Sequence, residues 1–179
     1  MGKRSIEIAK RFPKFRQLIG AEIGVRFGKN AEQLLDFLPN LTLHMVDRWE
    51  KPEPGDSYYN SGDGIADRPA GHLMRAKKQC TARVERFGHR AKMITSRSLA
   101  AASKYPNEFF DFVFIDADHS FEGTRMDILA WTPKVKKGGY ICGHDYDHPN
   151  IGEVKKAVDS LFTPGFVELG DDMTWFVLR

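Results

Sequence analysis

Residues 109–119 read Phe109-Phe-Asp-Phe-Val-Phe-Ile-Asp-Ala-Asp-His119, and this stretch decides the fold. Its first seven residues are nearly all aromatic or β-branched, which is typical of a strand covered on both faces in a parallel sheet. Asp116 ends the apolar run. The stretch therefore predicts a buried strand that ends in polar side chains at one edge of a parallel sheet.

Strand and helix patterns alternate on both sides of this run. Strands are predicted at 18–24, 41–46, 91–95, 109–115, 140–143, 165–169 and 173–178, with an amphipathic helix within residues 1–17 and helices between the strands. Gly-Asp-Asp at 170–172 is typical of a hairpin turn. This order predicts an α/β fold: a Rossmann-like, doubly wound, mostly parallel seven-stranded sheet with a C-terminal antiparallel hairpin. Ligands bind such sheets at the carboxyl ends of the strands, where the strand order reverses.

Length and composition indicate a single globular domain over residues 1–179. The chain is 41% hydrophobic and 28% charged, and no apolar run approaches the roughly 20 residues of a membrane-spanning helix. Cys80 and Cys142 belong to no C-x-x-C pair, so neither a disulfide framework nor a four-thiolate zinc site is indicated. The first six residues lack the apolar core of a signal peptide. We therefore expect a cytoplasmic protein with no membrane partner.

Positive charge is concentrated in residues 72–97, although the net charge is only +3. No aromatic residues interleave these charges as a nucleic-acid stacking platform would require. We interpret the stretch as a solvated helix face and disfavour a nucleic-acid partner.

Residues 48–71 are rich in Pro, Gly, Asp and Tyr. A connection of this length inside a compact domain is usually functional or mobile. We interpret it as a candidate lid over the acceptor.

Two glycines follow the first strand in the stretch Ala21-Glu-Ile-Gly-Val-Arg-Phe-Gly-Lys-Asn-Ala31. Gly24 and Gly28 allow a tight turn and a close approach to a ligand, which the following helix faces with its free N–H groups. Asp47 ends the second strand, where a carboxylate can accept hydrogen bonds from both ribose hydroxyls. The third glycine of the dinucleotide fingerprint is missing, which disfavours a nicotinamide cofactor.

Asp116 and Asp145 each follow an apolar strand, and the topology makes those strands neighbours, with tips about 4.8 Å apart. Two carboxylates this close share a proton or bind a cation, and oxygen ligands select Mg²⁺, Mn²⁺ or Ca²⁺. His144 is a candidate metal ligand or general base, and His119 is a candidate general base, because imidazole titrates near neutral pH.

The motifs together resemble those of class I S-adenosylmethionine-dependent methyltransferases, and most closely the small-molecule O-methyltransferases of the catechol, caffeoyl-CoA and macrocin types. The matching stretches are Glu22-Ile-Gly-Val with Gly28, Val46-Asp-Arg-Trp49, Phe112-Val-Phe-Ile-Asp-Ala-Asp-His-Ser-Phe-Glu-Gly123 and Lys137-Gly-Gly-Tyr-Ile-Cys-Gly-His-Asp-Tyr146. The resemblance spans residues 18–178.

The resemblance implies a role for each matching position. Glu22, Gly24 and Asn30 lie near the methionine part of the cofactor, Asp47 binds its ribose, Arg48 or Trp49 flanks its adenine, and Ser98 meets the adenine edge. Metal-dependent relatives use the positions of Asp116 and Asp145 as ligands. His144 stands where macrocin-type enzymes have an acid, and Tyr146 stands where catechol-type enzymes have Asn.

We therefore expect an enzyme that transfers the methyl group of S-adenosylmethionine to a hydroxyl of a small-molecule acceptor. Assistance by Mg²⁺ or another divalent cation and a homodimeric assembly both stay open. Three alternatives remain: a methyltransferase acting on nitrogen or on a macromolecule, a nicotinamide-dependent oxidoreductase, and a non-catalytic cofactor-binding domain.

Overall fold

A computed structural model describes residues 3–56, 59, 68–149 and 152–179. Over those residues the strands are β1 (Leu18–Ile23), β2 (Leu41–Asp47), β3 (Ala91–Thr95), β4 (Phe110–Ile115), β5 (Val135–Gly143), β6 (Glu168–Leu169) and β7 (Trp175–Leu178). The α-helices are α1 (Lys3–Ala9), α2 (Lys29–Phe37), α3 (Ala70–Val84), α4 (Ser98–Ala102), α5 (Phe121–Trp131) and α6 (Glu153–Leu161). Short 3-10 helices span Glu85–Arg90, Thr132–Lys134 and Pro164–Phe166. No helix in the described ranges has the length and apolar character needed to cross a bilayer.

The strands form one sheet in the order β3-β2-β1-β4-β5-β7-β6. The pairs from β3 to β5 are parallel, and β7 is antiparallel to both β5 and β6. This confirms the predicted doubly wound sheet with its C-terminal hairpin. The strand order reverses between β1 and β4, which lie side by side, and this is where such sheets bind ligands.

Strand β4 is buried along its whole length, as its apolar sequence predicts. Phe112 and Phe114 belong to the core beneath α1, α2 and α3. Val113 and Ile115 belong to the opposite core, beneath α4, α5 and α6. Helices therefore cover both faces of the sheet, and its strand ends remain for a ligand.

Helix α1 is shorter than the helix predicted within residues 1–17, because it ends at Ala9. Pro13 explains the early end: it lacks an N–H, and its ring would clash with the carbonyl of Ala9 in a continued helix. Phe12 instead packs on the ring of Phe112, with the ring centroids 5.4 Å apart.

Strand β5 is longer than predicted, because it begins at Val135 rather than Tyr140. The predicted turn at residues 137–139 is an irregularity inside the strand: Gly138 has φ 75°, and the register with β4 shifts between Phe110 and Phe112. Next to this irregularity, Lys136 Nζ lies 3.0 Å from Oδ2 of the buried Asp111 carboxylate.

Part of the positive charge in residues 72–97 is paired with other groups of the protein. Arg83 and Arg86 pair with Glu32, and Arg86 also pairs with Asp36. Arg90 donates to main-chain carbonyls near the end of α2. Arg75, Lys78 and Lys92 are exposed, so the stretch keeps a solvated basic surface beside these pairs. Of the predicted lid at 48–71, residues 57–58 and 60–67 lie outside the described residues.

A buried histidine in β2 makes stability depend on pH. His44 Nδ1 lies 2.8 Å from the Tyr105 hydroxyl, and burial, with a smaller contribution from Lys92, lowers the pKa of His44 to about 4. Between pH 6.5 and 4 the unfolded chain binds a proton here that the folded chain does not, so stability falls as the pH falls through this window.

We expect the wild type to lose up to about 3 kcal/mol more than His44→Gln between pH 7 and 4, measured by urea denaturation at each pH. The variant His89→Gln changes an exposed histidine and should follow the wild type. An identical pH dependence in His44→Gln and wild type would contradict this assignment.

Candidate functional site

A cavity of about 1300 Å³ opens at the carboxyl ends of the parallel strands. It runs from the ends of β1 and β2 to the ends of β4 and β5, across the point where the strand order reverses. Most sequence-predicted site residues line it: Glu22, Gly24, Asn30, Asp47, Arg48, Trp49, Ser98, Asp116, His119, His144 and Asp145. The fold therefore gathers these positions around one space.

Gly24 and Gly28 shape the turn after β1 by having no side chain. Gly24 has φ 88°, and a Cβ there would lie 2.0 Å from the backbone oxygen of Asp116. Gly28 has φ 72° at the start of α2, and its Cβ would lie 2.7 Å from Cys80 Sγ. The two positive φ values and close approaches explain why only glycine fits here. The turn thus lies with its bare backbone against the chain that follows β4 at Asp116.

Asp47 holds this turn in place. Its Oδ2 accepts hydrogen bonds from the N–H groups of Val25 and Arg26 at 2.9 and 2.8 Å. Its Oδ1 accepts from the N–H of Trp49 at 2.7 Å. A carboxylate has about four acceptor positions, so Asp47 can organise the turn and still accept a ligand hydroxyl.

Glu22 and Asn30 form a buried polar pair beside the turn. Asn30 Nδ2 donates to Glu22 Oε1 at 3.0 Å. Glu22 Oε2 and Asn30 Oδ1 are buried and have no hydrogen-bond partner among the described residues. Burial raises the pKa of Glu22 to about 8, opposed by the Asn30 hydrogen bond. The Asn30 oxygen is an unpaired acceptor, and a cationic ligand group would also favour the ionised, accepting form of Glu22.

The residues predicted to flank an adenine are partly engaged with the protein itself. Arg48 pairs with Asp56 at 2.7 Å, and this hydrogen bond is the main reason that the pKa of Asp56 falls to about 2. Trp49 is 4% exposed, and its Nε1 donates to the carbonyl of Arg26. Both side chains still line the cavity wall.

Asp116, His144 and Asp145 each offer one ligand atom, and these atoms lie within 4.8 Å of one another. Asp145 adopts a left-handed backbone conformation with φ 61°, which is strained for a residue other than glycine. His144 is buried, and its Nε2 has no hydrogen-bond partner in the described part of the chain. Two carboxylates and an imidazole nitrogen fit a divalent cation.

His119 lies between the two carboxylates of this cluster. Its Nε2 is 3.1 Å from Asp145 Oδ2 and 3.4 Å from Asp116 Oδ1. Burial tends to raise the pKa of Asp145, but the hydrogen bonds with His119 and His144 outweigh it and hold that pKa below its usual range. Asp145 therefore stays ionised and orients both imidazoles.

The sequence does not predict two residues that contact the cluster of Asp116 and His144, namely Arg4 and Asp172. Arg4 Nη1 lies 2.5 Å from Asp116 Oδ2, and Arg4 Nε lies 3.7 Å from Asp172 Oδ2. Asp172 Oδ2 is also 3.7 Å from His144 Nε2. Arg4 is 112 residues from Asp116 in the chain, so no local sequence pattern predicts their contact. Asp172 is visible in the sequence only as a turn residue.

Comparisons with known proteins agree with this geometry. A family model described as a methyltransferase domain matches residues 21–146. No curated protein matches the sequence.

Three solved structures illustrate the similarity of fold. The O-methyltransferase NovP has a TM-score of 0.70 at 18% identity, covering 99% of this chain and 79% of its own. An O-methyltransferase from Bacillus cereus in complex with SAH has a TM-score of 0.62 at 14% identity, covering 98% and 78%. The MycE methyltransferase, in complex with Mg and SAH, has a TM-score of 0.56 at 16% identity, covering 97% and 49%. At these identities the likeness concerns the fold.

Replacing Gly24 tests whether the close approach of the turn to Asp116 requires glycine. We expect Gly24→Ala to lower the free energy of unfolding by about 2–4 kcal/mol, because the new methyl group meets the Asp116 carbonyl and the positive φ is unfavourable. Thermal and urea denaturation measure the loss. Gly71→Ala adds the same methyl group in open space on α3 and should leave stability unchanged or slightly raised. Equal stability of the two variants would refute the close approach.

Proposed function

The chain belongs to the family of methyltransferase domains, and from this membership we propose that it transfers the methyl group of S-adenosylmethionine to a hydroxyl of a small molecule, assisted by a divalent cation. The observation that carries the proposal is the sharing of one cavity by the glycine turn with Asp47 and by the cluster of Asp116, His144 and Asp145. The first set suits the methyl donor, and the second suits an acceptor hydroxyl.

The half of the cavity lined by Glu22, Asn30 and Asp47, here called the donor half, has groups that suit the parts of S-adenosylmethionine. Asp47 accepts three backbone hydrogen bonds and has about one acceptor position left for a ribose hydroxyl. Glu22 and Asn30 offer unpaired acceptors to the donor's amino group. The bare backbone of the turn lets the ligand lie against it. These features support binding of the donor with its methyl group directed toward the cation cluster.

The half of the cavity lined by Asp116, His144 and Asp145, here called the acceptor half, suits a hydroxyl that attacks the methyl group. Asp116, Asp145 and His144 would hold a divalent cation, which lowers the pKa of a hydroxyl bound to it. The acceptor oxygen then attacks the methyl carbon in line with the breaking carbon–sulfur bond, and the sulfur leaves with the bond's electron pair.

His119 suits the role of general base for the hydroxyl proton. His119 Nε2 lies 3.1 Å from Asp145 Oδ2, so this carboxylate orients the ring, and the imidazole would take up the hydroxyl proton. The two neighbouring carboxylates stabilise the imidazolium that forms. The MycE structure, which has a similar fold, contains Mg together with SAH.

The size and charge of the cavity favour a small acceptor over a macromolecule. Its volume of about 1300 Å³ exceeds the roughly 300–1,000 Å³ of an ordinary ligand site and accommodates a cofactor with a small second ligand. The ion pairs of Arg83 and Arg86 leave less free positive charge for a nucleic acid. Residues 48–71 remain the proposed lid.

The proposal is tested by binding and turnover measured together. We expect S-adenosylhomocysteine to bind in calorimetry, and labelled methyl groups to reach compounds from a panel of small hydroxyl acceptors. Asp145→Asn and EDTA should each reduce turnover about 100-fold or more, with S-adenosylhomocysteine affinity changed less than about threefold, because both act on the acceptor half.

Asp171→Asn is the matched control, since it alters an exposed carboxylate in the neighbouring hairpin, and it should keep turnover. Full turnover in EDTA would refute the role of the cation. Failure of S-adenosylhomocysteine to bind would refute the proposed donor.

The ion pair between Arg4 and Asp116 leads to a further prediction about cation affinity. Its guanidinium already neutralises Asp116, so a divalent cation and Arg4 compete for the same carboxylate. We expect Arg4→Ala to tighten Mn²⁺ binding about tenfold in calorimetry, whereas Lys3→Ala, on the same helix and exposed, should not. Unchanged Mn²⁺ affinity with weakened S-adenosylhomocysteine binding would instead assign Arg4 to the donor's carboxylate.

A further inference from the structure

A buried carboxyl on α5 lines the cavity apart from the cation cluster. Asp127 is 4% exposed, and among the described residues it pairs with no cation. Burial, with a contribution from nearby Asp118, raises the pKa of Asp127 to about 7. Burying a carboxyl without a cation costs free energy unless hydrogen bonds compensate, so its remaining acceptor positions need donors.

Within the protein, a serine and a tryptophan complete the environment of Asp127. Ser98 Oγ donates to Asp127 Oδ1 at 2.5 Å, and the same Oγ accepts from Trp131 Nε1 at 2.8 Å. The single hydroxyl proton of Ser98 is therefore used. When Asp127 is ionised, the positions left on both groups are acceptors, so the pair offers a ligand acceptors only.

Apolar side chains flank this acceptor pair on the same cavity wall. Leu99 is 43% exposed and Met126 is 38% exposed, and both line the cavity. They neighbour Ser98 on α4 and Asp127 on α5 in the sequence. Exposed apolar surface beside a buried acceptor suits a flat heteroaromatic ring that carries an amino group.

We propose that Asp127 determines purine specificity, by accepting, together with Ser98, the N–H groups of an adenine 6-amino substituent and by rejecting purines with a carbonyl at that position. This inference rests on the proposed use of S-adenosylmethionine. A 6-carbonyl would direct lone pairs at a carboxylate, and a site built to bind an N–H group strongly disfavours a ligand that lacks it.

The test compares two ligands that differ at this position. S-adenosylhomocysteine carries the 6-amino group, and S-inosylhomocysteine carries a carbonyl there. We expect the wild type to bind the adenine compound at least about 100-fold more tightly in calorimetry at about pH 8.5, where Asp127 with its pKa of about 7 is ionised. In Asp127→Asn the preference should fall below about tenfold, because an amide offers a donor as well as an acceptor.

Two further variants separate recognition from structural support. Glu122→Gln makes the same change of carboxylate to amide on α5, at an exposed residue that also lines the cavity, and it should keep the preference. Ser98→Ala removes the hydroxyl but leaves the carboxylate, so it should keep the preference even if both ligands bind more weakly. Thermal unfolding verifies that each variant is folded.

Equal affinity of the wild type for the two ligands would overturn the inference whatever the behaviour of Asp127→Asn. An undiminished preference in folded Asp127→Asn, or loss of the preference in Ser98→Ala, would also overturn it. In those cases S-adenosylhomocysteine still binds and the proposed function stands. Failure of the wild type to bind S-adenosylhomocysteine would overturn both.

Discussion

The site depends on one contact between two backbones. The N–H of Asp116 donates to the carbonyl of Ile23 at 2.7 Å, and the missing side chain of Gly24 lets the turn after β1 touch the chain after β4. Because β1 and β4 are the strands between which the order reverses, this contact joins the two halves of the cavity. A side chain at Gly24 would separate the groups suited to the methyl donor from those suited to the acceptor.

The second constraint is electrostatic. The carboxyl groups that line the cavity include Glu22, Asp116, Asp145 and Asp172, and such a concentration is unfavourable unless cations or protons compensate it. Arg4 and two imidazoles supply part of that compensation. Glu22 is compensated differently, since its raised pKa favours the neutral form. The site thus retains capacity for an added positive charge, which both a divalent cation and a sulfonium donor would bring.

The sequence predicted correctly those features that are local or that follow from the strand topology. The apolar run 109–115 predicts the buried strand, and parallel strands that end in Asp116 and Asp145 predict that these carboxylates meet. Helix and strand limits were less accurate, because Pro13 ends α1 early and the irregularity at Gly138 sits inside β5. Arg4, Asp172 and Asp127 could not be predicted as site residues, since their positions depend on packing between distant segments and not on any pattern around them.

The position of β7 also determines when the edge of β5 becomes covered during synthesis. Its buried Trp175 and Phe176 fill the slot between β5 and β6, although β7 follows both in the chain. Until residues 175–178 have emerged from the ribosome, β5 therefore has an open edge, and open edges invite pairing with other chains. A chain that lacks residues 175–178 would have all the strand-end carboxylates from β1 to β5 but an incomplete sheet with β5 at its edge.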